Sequence, residues 1–93
     1  MKKYYVEIGE LYLERITESF IVYSSKSPEE LEWDDEFLSL VDQVIADLYS
    51  DYGEKDEDWE NFQDSMGIIE IRDWKEEDSN WTTEVLYDER TNE

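Results

Sequence analysis

The chain has 93 residues, 28 acidic and 8 basic, giving a net charge of −20, and it contains neither cysteine nor histidine. This length fits one domain, residues 1–93, with a small core. The missing cysteines exclude disulfides and thiolate zinc sites. The missing histidines remove the usual general base near neutral pH and the commonest metal ligand, and the negative charge opposes direct binding of nucleic acid.

High charge by itself favours disorder. Here 39% of the residues are hydrophobic and 15% aromatic, in periodic blocks, so a folded domain is expected. The opening MKKYYVEIGELYL is interrupted by Glu7 and Glu10 and does not read as a signal peptide. No segment approaches the ~20 apolar residues of a membrane span. The expected location is cytoplasmic, in the bacterial host if the protein is phage-encoded, with no membrane partner.

Tyr4 to Leu13 reads as a strand. Val6 and Ile8 share one face, while Leu11 and Leu13 continue in the other parity, so a bulge or tight turn is expected at Gly9–Glu10. Ser19 to Ser25 is β-branched and aromatic, a partner strand reached by a turn near Thr17 and Glu18. SKSPEE then starts a helix, with Ser27 as N-cap, Pro28 at the first helical position and Glu30 completing a capping box.

At ~100° per residue, Leu31, Phe37, Leu38, Val41, Val44, Ile45, Leu48, Tyr49 and Tyr52 fall on one broad face. Asp34 alone would project into it. A buried unpaired carboxylate is costly, so the spacing predicts a short turn over 28–33 and a main helix capped by Asp34 and stopped at Gly53. Asp56 to Ser65 predicts a short second helix ended by Gly67, with Trp59, Phe62 and Met66 on one side. Ile68 to Trp74 reads as a strand, Lys75 to Asn80 as a polar loop and Trp81 to Tyr87 as the returning strand. Thr83, Val85 and Tyr87 would share a face of it, Trp74 and Trp81 would pair across the hairpin, and 89–93 would fray. The order is β-β-α-(α)-β-β, an α+β fold with an antiparallel sheet and one main acidic helix packed on one face.

Acid clusters invite a calcium reading. Counted as an EF-hand loop from Asp56, the sixth position is Asn61 and the twelfth Gly67, where the loop needs glycine and glutamate; counted from Asp51, Gly53 and Lys55 fall on ligand positions. A non-standard site among Asp34, Asp35 and Glu36 stays open. Carboxylates in glycosidase or nuclease roles lack distinguishing neighbours here, and no phosphate-binding loop or nucleophile elbow is present. No catalytic residue, cofactor or metal is therefore assigned, and the chain is not expected to be an enzyme.

The charge is uneven. Residues 27–64 hold fifteen acids against Lys55 alone, whereas an ordinary solvated helix mixes Glu with Lys four apart. Such a ridge can imitate a polyanion, since duplex DNA carries one charge per ~1.7 Å of axis and meets matching basic surfaces. Glu32, Asp35, Glu36, Asp42, Asp47 and Asp51 would present the ridge on the helix, and Glu54, Asp56, Glu57, Asp58 and Glu60 would extend it. A tight complex also needs a desolvated aromatic anchor. Trp59 is the main candidate and Trp33 a second, against a core role for either.

In general character, over its whole length, the chain resembles the small acidic proteins that phages and mobile elements use against host defences: DNA-mimic anti-CRISPR and anti-restriction proteins and uracil-DNA glycosylase inhibitors. It resembles as loosely the immunity proteins that neutralise basic nuclease toxins. The resemblance implies a stoichiometric inhibitor that occupies the DNA-binding surface of a nucleic-acid enzyme, most naturally a CRISPR effector or restriction nuclease. Its partner would be a basic DNA-binding protein or nuclease, and it would act as a monomer or dimer. The competing readings are an immunity protein, an acidic metal-binding module, a plain structural module whose charge serves solubility, and halophilic adaptation, which five Lys and seven Ile oppose.

Overall fold

The computed structural model describes residues 1–12, 16–52 and 58–92. The elements are β1 (Lys2–Glu10), β2 (Thr17–Ser24), α1 (Pro28–Leu31), α2 (Asp35–Tyr52), α3 (Trp59–Ser65), β3 (Met66–Asp73) and β4 (Val85–Asp88), with 3-10 turns at Glu76–Asn80 and Glu89–Asn92. The fold is α+β, with the strands in the order β3-β1-β2-β4.

Period-two burial builds the sheet. Tyr4, Val6 and Ile8 of β1 and Phe20 and Val22 of β2 are fully buried, and they meet Leu31, Phe37, Val41, Val44, Ile45 and Leu48 in one core with Phe62 and Met66. The antiparallel register sets Val6 opposite Phe20 on one side and Ile71 on the other.

No bulge interrupts β1 at Gly9–Glu10, where pairing with β2 runs unbroken through Gly9; the irregularity is on the neighbouring strand, where Glu7 faces Glu70 while Ile8 faces Ile68, which leaves Ile69 as the extra residue of β3. β1 ends at Glu10, and Leu11 is exposed rather than on the core face. Leu13 lies outside the described residues. Gly9 has a different role from the one expected. A Cβ there would stand 2.6 Å from the Ile16 carbonyl oxygen and 2.9 Å from Ile69 Cδ1, so this crossing of three strands needs glycine.

The helix start is as the spacing predicts. Ser27 Oγ accepts the Glu30 N–H and Glu30 Oε1 accepts the Ser27 N–H. Asp34 caps α2, with Oδ1 accepting the Phe37 N–H at 3.0 Å, while its other oxygen binds Lys26 Nζ. The helical stop expected at Gly53 lies outside the described residues. α3 is capped by Asp58, whose Oδ1 accepts the Asn61 N–H at 2.9 Å, and it runs directly into β3 at Met66, so Gly67 belongs to the strand.

The sheet is mixed rather than wholly antiparallel. β4 does not return along β3; it lies at the far edge, parallel to β2. The 74–84 connection therefore crosses the sheet on the side opposite the helices. Asp78 holds it down, being fully buried and taking both Arg72 guanidinium N–H groups at 2.6 and 2.8 Å. Thr82 Oγ1 adds a 2.6 Å hydrogen bond to Ser19 Oγ. The strap shelters Tyr5 and Ile21, the buried residues of the outer sheet face. Trp74 and Trp81 consequently form no cross-strand pair. Lys3 Nζ sits 4.2 Å from the centre of the Trp74 ring, and Trp81 is exposed. Thr83 and Val85 are exposed as well, since β4 begins only at Val85 and its register shifts between Ile21 and Val22. Residues 89–92 form a 3-10 turn.

Candidate functional site

The acidic ridge is built by one long helix and the turns at its ends. α2 has 18 residues, so it spans ~27 Å at ~1.5 Å per residue. Asp35, Glu36, Asp42, Asp47 and Asp51 are all exposed along it. These five charges average one per ~5 Å of axis, against one per ~3.4 Å on a single DNA strand. Glu29, Glu30 and Glu32 add to the N-terminal end, and Asp58, Glu60 and Asp64 are exposed on and beside α3. Glu54, Asp56 and Glu57 lie outside the described residues.

Local helix energetics favour only the N-terminal part of this arrangement. Negative charge suits the first turn of a helix, where Asp35 and Glu36 sit, but opposes the dipole at the last turn, where Asp51 stands with no basic residue. Asp47 and Asp51 are four apart, a like-charge pair worth ~0.2–0.5 kcal/mol of destabilisation. The acids of the last turns, Asp47 and Asp51, therefore do not serve helix stability.

Four of the described bases are engaged elsewhere. Lys26 binds Asp34, and that contact, with the Phe37 N–H second, holds the Asp34 carboxyl below its ordinary range. The Arg72 guanidinium pulls Asp78 down to about 2. Arg90 pairs with Asp88 at 2.9 Å and stacks on Tyr23, and Lys3 lies between Tyr23 and Trp74. Among the described residues Lys3, Arg72 and Arg90 stack on aromatic rings of the sheet and its flanks, while α2 itself contains no lysine or arginine.

The two candidate anchors differ sharply. Trp59 is half-buried, packs against the core and meets Tyr49 edge-on with ring centres 5.3 Å apart. Trp33, between α1 and α2, is 85% exposed among Glu32, Asp35 and Glu36. Its neighbour Asp34 turns inward to cap α2, which leaves the indole outside; the misfit of Asp34 in the helical pattern was the sequence signal for that geometry. Among the described residues no three carboxylates come together closely enough to hold a metal ion, and Asp34 is already committed to Lys26 and the cap. Among those residues also, no helix is long and apolar enough to cross a membrane.

Compared with protein-family models, with curated proteins and with solved structures, the chain matches none of them.

Proposed function

We propose that the protein is a DNA-mimic inhibitor that occupies the basic DNA-binding surface of a nucleic-acid enzyme, a CRISPR effector or restriction nuclease being the class the charge pattern suits. The observation that carries this reading is the solvent face of α2, with five exposed acids, no compensating base and a charge spacing within a factor of two of a DNA strand. Long-range attraction would steer such a surface quickly into a basic groove, and salt would weaken it. Trp33 supplies what charge alone lacks, an exposed aromatic side chain able to be desolvated at the interface. The inhibitor acts by stoichiometric occupation, with no bond made or broken and no cofactor.

The test is affinity capture from lysates of bacteria that carry restriction and CRISPR systems, with a moderate-salt wash and elution by duplex DNA. The expected result is release of one nucleic-acid enzyme. A partner that stays bound in the presence of excess duplex would mean that binding does not use a DNA site, and the mimic reading would fall.

A further inference from the structure

A shallow cavity of about 170 Å³ opens on the flank of α2 that faces β4. Its floor is apolar, made by Val44, Leu48 and Leu86. Its rim is four carboxylates from three separate parts of the chain: Glu18 of β2, Asp47 and Asp51 of α2, and Glu84 just before β4. No lysine or arginine among the described residues forms an ion pair with any of the four. They surround the opening without converging as a metal site would.

We infer that this groove is a socket for an arginine side chain of the basic protein partner. The inference rests on the proposed function and deepens it. A greasy floor under a charged rim matches an amphipathic side chain, whose methylene stem covers apolar surface while its head stays polar. The planar guanidinium has five N–H donors pointing in several directions, suited to carboxylates spread around a rim, whereas an ammonium is a compact point charge. The volume fits a single side chain, with liquid water occupying roughly 30 Å³ per molecule. An arginine that holds a DNA phosphate in the partner's own complex would here meet carboxylates instead.

Capped arginine (Nα-acetyl-arginine amide) tests this directly, titrated into the methyl-labelled protein near physiological salt and followed by NMR. The expected result is saturable shifts confined to the Val44, Leu48 and Leu86 methyls. Methylguanidinium, which has the head without the stem, should bind more weakly. Asp51→Asn combined with Glu84→Gln keeps the shape and removes two charges. It should weaken capped-arginine binding by about tenfold or more, the size of one lost hydrogen bond to a charged group. Shifts that never saturate, spread over all acidic residues and are matched by methylguanidinium would overturn the socket and leave only diffuse counterion attraction. The titration needs no partner, so its failure would leave DNA-displaceable capture standing, and a failed capture would leave the titration result standing.

Discussion

Asp34 and Asp78 are turned inward while most other acids of the chain face solvent, and each is held by a base and by backbone N–H groups. Replacing Asp34 with alanine removes the α2 cap and strands Lys26. Chemical denaturation should show a loss of about 1 kcal/mol or more, with Asp34→Asn keeping part of it through the cap. The pH dependence follows from Asp78. Its folded value of about 2 lies below the ordinary 3.8, so its contribution is fully present above about pH 4 and is lost as the pH falls toward 2. Asp78→Asn should flatten that part of the stability profile. Trp33 predicts the opposite pattern. Its alanine variant should change stability by less than about 0.5 kcal/mol and weaken partner binding by about 2 kcal/mol or more if it is the anchor.

At the scale of elements, α2 was legible because burial imposes a 3.6-residue period on Phe37, Val41, Val44, Ile45 and Leu48, and because a single misfit, Asp34, marked the cap. β1 and β2 were legible from β-branched and aromatic runs. The path of the chain after β3 was not. A polar run such as Lys75 to Asn80 looks the same whether it turns a hairpin or crosses a sheet, and what decides the matter is the pairing of Arg72 with Asp78, six residues apart in sequence and invisible to any period. In the candidate site, the exposed acids of α2 followed directly from the helical pattern, whereas the rim residues Glu18 and Glu84 came to it only through the parallel placement of β4. Two element-scale outcomes are expected. Gly9→Ala should destabilise by about 1–3 kcal/mol in thermal or urea unfolding, because the new methyl meets backbone. Asp51→Lys should stabilise by about 0.3–1 kcal/mol, by relieving the dipole and the Asp47 repulsion, while weakening partner binding.

At the scale of the molecule, a net charge of −20 on 93 residues repels itself, and among the described residues Lys26 is engaged at the α2 cap, Arg72 under the strap and Lys3 over the Trp74 ring. Added sodium chloride should therefore raise the unfolding midpoint while slowing association with a basic partner. The most direct measurement of the central claim compares the native protein with an Asp35→Lys, Glu36→Lys, Asp42→Lys variant in the same lysate capture, quantifying the nucleic-acid enzyme released by duplex DNA. All three positions are exposed, so the variant should fold. The mimic account predicts that the DNA-released enzyme disappears from the variant's eluate while the variant's melting curve stays cooperative. Equal recovery of that enzyme by the folded variant would contradict it, and would place the contact somewhere other than the acidic face of α2.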